Sequence, residues 1–409
     1  MSQAAPLNRR YLLLFLIVFA NFLGGTIVLP TLPLYTQHHF DARPETISML
    51  LASYFIAQFF AAPVLGRLSD RVGRLPVLLI SQIGTFFSFL MMGSAQSLWV
   101  LFIARVIDGV TGGNVIVAQA YVTDITTPKN RTRGLGIIFA AFGLGYTIGP
   151  AVGGLVAGLF DDRMPFWIGA GISLLTVLLT WFFLDESLTP ERRAQRRQPE
   201  YRMHLREITG NVPLLLILVT GFGAQFSIAI MQATLALYGD AVLFAGQSDS
   251  QVNIGVGLML TGIGVGQFFT QLVLVKPIVG YLGERRAVFF GAFSRAMAMT
   301  SIALFTSPFL VGGVSLIMIA ISSGIMMPSL QSLATQSVRE TISGGVLGLY
   351  NAATSLGIIF GTALGGHLFA ITPQTPYLVS GAVLFLTMLP ALGIWRTMTL
   401  TSRESPAVA

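Results

Sequence analysis

Cysteine is absent from all 409 residues, which excludes disulfides, thiolate metal sites and a cysteine nucleophile. Histidine is scarce, and His38, His39, His204 and His367 are too scattered to form a metal cluster. Charge is scarce too. Asp, Glu, Lys and Arg make up 10% of the chain, against roughly 25% in an ordinary soluble domain, and so few charges cannot cover a water-facing surface. No Gly-x-x-x-x-Gly-Lys-Ser/Thr phosphate loop occurs, so energy from bound ATP is not supported. Glycine runs such as Gly262-Ile263-Gly264-Val265-Gly266 lie inside apolar stretches, where glycine serves helix packing rather than dinucleotide binding. No nucleophile–base set falls within reach by sequence logic. An enzyme is therefore not expected, and neither a cofactor nor a metal is.

What the chain has instead is apolar length: 54% of its residues are hydrophobic and the mean hydropathy is +0.75. A helical span needs about 20 mostly apolar residues. Reading apolar runs against charged breaks gives twelve, near 10–36, 46–66, 76–94, 98–122, 134–160, 164–184, 211–239, 252–275, 287–306, 308–335, 344–370 and 375–396. The expected fold class is an all-α polytopic membrane protein. The first run follows Arg9-Arg10 like a signal peptide, but it is far longer than a signal core and lacks a small-residue cleavage site, so it reads as the first span.

The net charge of +7 is distributed by side. The N-terminus, the even-to-odd loops and the C-terminus hold 20 of the 24 Lys and Arg, whereas the opposite loops hold only Arg43 and Arg163. Cytoplasmic loops are enriched in these residues, so both termini are expected in the cytoplasm and the chain in the cytoplasmic (inner) membrane. The basic balance is thus a topology signal, and no nucleic-acid partner is expected. The remaining two, Arg105 and Arg295, fall inside spans.

The longest hydrophilic stretch, Asp185 to Gly210, divides the spans into two sets of six and carries Arg192, Arg193, Arg196, Arg197, Arg202 and Arg206. The expected organisation is an N-terminal bundle over 1–190, a cytoplasmic linker over 191–209 and a C-terminal bundle over 210–409. Gly145, Gly149, Gly153 and Gly154 recur as Gly357, Gly361, Gly365 and Gly366, an offset of 212. Gly66-Arg67-Leu68-Ser69-Asp70-Arg71 is echoed at Gly280–Arg285 with an offset of 214, and Gly109 at Gly324 with 215. Similar offsets at three places argue for internal duplication, an architecture that recurs in transporters.

The segment after span two reads Gly66-Arg67-Leu68-Ser69-Asp70-Arg71-Val72-Gly73-Arg74. Its glycines permit a tight turn. Asp70 is placed to cap or pair at the start of a neighbouring helix, and Arg71 and Arg74 to bridge to carboxylates. This Gly-x-x-x-Asp-Arg-x-Gly-Arg form, in this place, resembles the signature of major facilitator superfamily transporters. Arg105-Val106-Ile107-Asp108-Gly109 resembles their fourth-span motif and Gly145-Tyr146-Thr147-Ile148-Gly149-Pro150-Ala151-Val152-Gly153-Gly154 the fifth-span motif of antiporters. Leu29-Pro30-Thr31-Leu32-Pro33 resembles the proline pair ending the first span. Within the superfamily the chain is similar to the twelve-span drug:proton antiporters and, among them, the tetracycline-efflux group. The likeness implies the major facilitator fold of two pseudo-symmetric six-helix bundles, normally monomeric. It also implies an inner-face gating network of Gly66, Asp70, Arg71, Arg74 and Asp124, and a helix-packing strip, Gly145, Gly149, Pro150, Gly153 and Gly154, that lies between the halves and resists leakage.

Of the 17 acidic residues only Asp108 sits well within a span, and Arg105 is three residues earlier on the same helical face. A charge at a helix centre costs about 2.5–3.5 kcal/mol on insertion scales, so it has a partner or a task. Two readings stand: a self-neutralising structural pair, or a proton-coupling site in which Asp108, with Arg105, takes up the driving proton. Tetracycline pumps commonly carry a small apolar residue there, and an aspartate where this chain has Asn21. Both departures put tetracycline as substrate, and the usual coupling scheme, in question. Spans one, four, seven and ten surround the central site in the superfamily, so the better substrate-cavity candidates are Asn21, Thr26, Asn114, Gln119, Gln225, Gln232 and Gln331, with Asn351 of span eleven as a further polar group. For Arg295 the options are snorkelling, contact with backbone carbonyls or electrostatic balance of Asp108. His367 reads as a hydrogen-bonded packing residue. The expected function is proton-coupled efflux of a small amphipathic or cationic compound, with a small molecule, protons and the lipid bilayer as partners. The alternatives are export of a metabolite, sugar, siderophore or lipid by the same fold, and a non-transporting membrane receptor or assembly partner.

Overall fold

A computed structural model describes residues 7–112, 114–126, 128–188, 210–338 and 343–401. The linker expected over 191–209 lies outside them. Among the described residues, twelve helices are long and apolar enough to cross a membrane. They are α1 (Tyr11–Phe40), α2 (Pro44–Val72), α3 (Arg74–Gly93), α4 (Leu98–Ile125), α5 (Gly136–Leu159), α6 (Met164–Phe183), α7 (Val212–Leu243), α8 (Asp249–Leu282), α9 (Glu284–Leu304), α10 (Pro308–Gln336), α11 (Gly345–Ile371) and α12 (Thr375–Arg396). The described residues contain no strand. In hydrocarbon every backbone group must be satisfied within its own segment, and a helix achieves this.

Several helices run past the boundaries that hydropathy suggests, because a helix continues into the polar interface at no backbone cost. The signature segment shows this most clearly. It is helical through Val72, and the chain turns only at Gly73, whose φ of 115° is open to glycine. Gly66 is an ordinary helical residue with nothing within 4 Å of where a Cβ would sit, so no close approach requires a glycine there.

Two compact units result. Unit 1 comprises residues 1–42, 50–199 and 246–264, and unit 2 comprises 43–49, 200–245 and 265–409. Their cores have matching composition. In unit 1, Leu14, Ile17, Val77, Leu78, Val117, Tyr121, Ile138 and Ala141 bring α1, α3, α4 and α5 together. In unit 2, Leu214, Ile217, Val288, Ala292, Met326, Leu330, Tyr350 and Ile394 do the same for α7, α9, α10, α11 and α12. Large apolar side chains that face outward, such as Trp99, Trp181, Phe309 and Leu389, suit a lipid surround.

Glycine strips set the closest helix approaches, as expected where lipid removes the hydrophobic drive for helix association. A Cβ on Gly145, Gly149 or Gly153 would run into the Phe22–Ile27 stretch of α1. One on Gly154 would meet Asn253 and Gly257 of α8, inside unit 1. Unit 2 repeats the plan: Gly357 and Gly361 lie on the Phe222 and Phe226 carbonyls of α7, and Gly366 on Pro44 and Ser48 of α2. Gly109 likewise seats on α2 at Tyr54, and Gly324 on α8 at Thr270. The duplication is therefore spatial as well as sequential. One register differs from the sequence echo. The turn glycines that match are Gly73 and Gly283 (φ 75°), which aligns Arg74 with Glu284, so the pairing of Asp70-Arg71 with Glu284-Arg285 places residues on opposite sides of the turn.

Candidate functional site

Two groups of charged side chains in unit 1 contain residues expected at the site. The first sits where α2 turns into α3. Arg74, 1% exposed, donates through Nε to Asp124 Oδ2 at 2.9 Å, through Nη2 to Asp70 Oδ1 at 2.6 Å and through Nη1 to Ser69 Oγ. The planar guanidinium offers donors in fixed directions, so one arginine holds the end of α2, the start of α3 and the end of α4 at once. The carboxylate that caps the start of α3 is Glu186, from the segment after α6. It accepts from Arg74 N at 2.9 Å and Leu75 N at 3.1 Å, where the helix dipole favours negative charge. Of the two roles open to Asp70, pairing is the one observed, with Arg74, and the cap comes from Glu186, which is 112 positions from Arg74 and which nothing local in the sequence marks. Of the two arginines, Arg74 bridges the carboxylates, whereas Arg71 lies on the exposed face.

The second group is in the membrane-spanning part. Arg105 Nη1 donates to Asp108 Oδ2 at 3.2 Å, and their side chains are 10% and 9% exposed. The Arg105 guanidinium stacks over the Tyr54 ring at 4.3 Å, a cation–π contact. Tyr54 in turn accepts from Gln58 Nε2 at 3.1 Å, and the same nitrogen donates to the Gly112 carbonyl at 2.9 Å. Thr85 of α3 also hydrogen-bonds the carboxylate. The Arg105 Nε is buried with no partner among the described residues. The pair is thus enclosed by α2, α3 and α4 but incompletely satisfied.

The cavity candidates separate in this structure. Thr26 is buried, and its hydroxyl donates to the Gly145 carbonyl at 2.9 Å and to Phe22 O at 2.7 Å, which makes it part of the α1–α5 contact. Asn21 is half-buried and lines a small cavity in unit 1. Gln119, Gln225 and Gln232 are half-buried, whereas Gln331 and Asn351 are exposed. The Asn114 side chain lies outside the described residues. A residue not foreseen is Gln82 of α3, 1% exposed, whose Nε2 and Oε1 have no hydrogen-bond partner among the described residues. Each buried polar group left unpaired costs about 1–3 kcal/mol.

Arg295 is buried in unit 2 and donates to Ser322 Oγ at 3.2 Å, Ser323 Oγ at 2.7 Å and the Ala224 carbonyl at 3.2 Å. Of the options open to it, contact with a backbone carbonyl is the one observed, and two serine hydroxyls complete its shell. His367 is exposed and hydrogen-bonds the Ala363 carbonyl of its own helix at 3.1 Å. It is hydrogen-bonded as expected, but it does not pack in a core.

Duplicated helical units, close-packed by glycine and carrying a buried ion pair and a charged helix junction, define a polytopic transport architecture. The family model of the Major Facilitator Superfamily matches residues 14–246 and 245–409, and the chain belongs to that superfamily. It is 32% identical to the tetracycline resistance protein, class C, of Escherichia coli, over 92% of this chain and 95% of that one. It is 27% identical to multidrug resistance protein 2 of Bacillus subtilis, over 96% and 95%. Among solved structures, the human organic anion transporter MFSD10 (TETRAN) superposes with a TM-score of 0.68 at 22% identity, covering 95% of this chain and all of that one. At that identity the likeness speaks for the fold alone.

Proposed function

We propose that the protein exports a small amphipathic or cationic drug-like compound in exchange for protons, by alternating access of two six-helix halves, 1–190 and 210–409, joined by 191–209. The observation that carries this reading is the match, over more than nine-tenths of the chain, to relatives named for tetracycline and multidrug resistance. It sits in the cytoplasmic membrane with both termini inside, an orientation supported by the side-dependent distribution of Lys and Arg, and it works as a monomer.

Asp108, with Arg105, is the coupling group. Its carboxylate is held by Arg105 and Thr85, and the guanidinium in turn lies against the Tyr54 ring, so a proton exchanged at Asp108 is felt by α2, α3 and α4 together. Arg74, with Asp70 and Asp124, latches the inner face, and Asn21 with the half-buried amides of α4 and α7 receives the substrate.

The test is reconstitution in liposomes with an imposed pH gradient, adding tetracycline and lipophilic cations and following proton movement. Compound-triggered flux that disappears in Asp108→Asn is the expected result. Equal flux in the variant removes Asp108 from coupling, and no flux with any compound sinks drug export.

A further inference from the structure

At the end of unit 1 opposite the α2–α3 junction, the start of α8 is seated on α5, since residues 246–264 belong to that unit. Small residues of α5 allow the approach: a Cβ on Gly154 would meet the Asn253 carbonyl and Gly257, and one on Gly158 the Ser250 carbonyl and Ile254. Polar contacts border this seam. Asn253, 1% exposed, donates through Nδ2 to Asp162 Oδ1 at 3.0 Å. His38, near the end of α1, lies 4.0 Å from Asp249 at the start of α8. The Arg163 guanidinium is engaged by His39 at 2.7 Å and by the face of Tyr35. The charges that bear on Asp162 are those of His38, Asp161 and Asp249.

The seam thus sets carboxylates against each other. Asp162 is on the α5–α6 connection and Asp249 on α8, so closing the contact brings like charges together. The cation that acts on both, His38, exists only while its imidazole is protonated. Each proton taken up therefore favours the closed contact. Protonating Asp162 removes its repulsion from Asp249, and the hydrogen bond from Asn253 survives, because an amide N–H donates to a neutral carbonyl oxygen as well as to a carboxylate. Protonating His38 makes its approach to Asp249 an ion pair.

We infer that a proton-linked contact latches the start of α8 to α1 and the α5–α6 connection, closed by acid and loosened by alkali, with Asp162 as its titrating carboxyl and His38 as its conditional cation. Partial burial raises the Asp162 carboxyl above the ordinary 3.8, and Asp161 and Asp249 add to the rise. A group that binds its proton more tightly when covered favours the covered state as pH falls. The latch is separate from the Arg105–Asp108 pair, which α2, α3 and α4 enclose. That it faces the outside, and so closes on protons arriving from there, rests on the orientation and the export reading above; the latch itself does not.

The full chain has no native cysteine, so spin labels on Phe160→Cys and Gln247→Cys, both exposed positions beside the seam, report its width. Distance distributions are measured by pulsed electron paramagnetic resonance in lipid nanodiscs, without substrate, at about pH 4.5 and about pH 8, which bracket an ordinary imidazole and a raised carboxyl. The expected result is a short-distance fraction larger at the acid pH by at least about twofold. In Asp162→Asn, which mimics the protonated acid, that fraction stays high at both pH values. In Asp249→Asn, a substitution at a side chain 75% exposed, the pH step shrinks because protonating Asp162 no longer relieves a repulsion across the seam. A wild type without a pH step, or a step equally large in Asp162→Asn, overturns the inference. If Asp162→Asn does not fold, Asp249→Asn decides, and an unchanged step there overturns it. A protein that moves no drug yet keeps the pH step retains the latch and loses only the export reading.

Discussion

Arg105 and Asp108 hold opposite charges where water is excluded, and the cost of separating them is far larger than the benefit of having them. Removing one partner of a buried pair destabilises by about 3–5 kcal/mol, whereas replacing both with apolar residues is often neutral. Asp108→Asn is therefore expected to lower the unfolding temperature, and the double substitution Arg105→Leu with Asp108→Leu to restore it without restoring proton-coupled transport. Recovery of coupling in the double variant removes the pair from the mechanism.

Asp162, in the connection between α5 and α6, titrates outside the membrane-spanning segments. Partial burial is the main cause that raises its carboxyl above the ordinary 3.8, while the hydrogen bond from Asn253 Nδ2 at 3.0 Å and the nearby His38 pull it down. Asp161 and Asp249, also close by, add to the rise. Because the folded value exceeds the unfolded one, this group's contribution to stability is fully present below about pH 3.8 and is lost as pH rises through the folded value. Asp162→Asn should flatten the dependence of unfolding temperature on pH as pH rises above about 3.8, and an unaltered pH profile refutes this.

At the scale of elements, Gly153 on α5 and Gly357, Gly361 and Gly366 on α11 lie directly against backbone carbonyls of the neighbouring helix. Gly153 faces the Ile27 carbonyl, which cannot move aside as a side chain would. Gly153→Leu is expected to lose about 1–3 kcal/mol, the usual cost of overpacking, read as a fall in unfolding temperature with reduced transport. Gly262, with nothing within 4 Å, is the control: Gly262→Ala should be neutral or slightly stabilising, since alanine is the better helix former. If both substitutions behave alike, the strip has no special role. The turn glycines at 73 and 283 are constrained differently, by backbone conformation rather than by space.

For the whole molecule, the network at the α2–α3 junction spans most of unit 1's sequence, drawing on α2, α3, α4 and the segment after α6. If it latches the inner face, weakening it shifts the balance between access states. The absence of native cysteine makes this measurable with a single introduced thiol. A cysteine replacing the exposed Asn351 should react with a water-soluble maleimide at a rate changed at least twofold by Asp70→Asn. Equal rates argue that the network only staples helix ends. Its core member, Arg74, is predicted to matter more for stability than Arg71, because Arg74→Ala removes the buried guanidinium that pairs with Asp124, whose side chain is 1% exposed.

Composition and periodicity alone determined the number of spans, their order, their internal duplication and the glycine strips. These are local properties: an apolar run long enough for the bilayer, or small residues every fourth position, carries the same meaning wherever it sits in the chain. The Arg105–Asp108 pair was legible for the same reason, being three residues apart on one helix. Tertiary structure alone decided which groups meet across the fold. It gave Arg74 its carboxylates, placed Glu186 at the start of α3, committed Thr26 to the Gly145 carbonyl 119 residues away, and supplied Arg295 with serines from α10. Partnerships between distant residues depend on helix rotation and approach, which many side chains set together, and no single stretch of sequence carries that information.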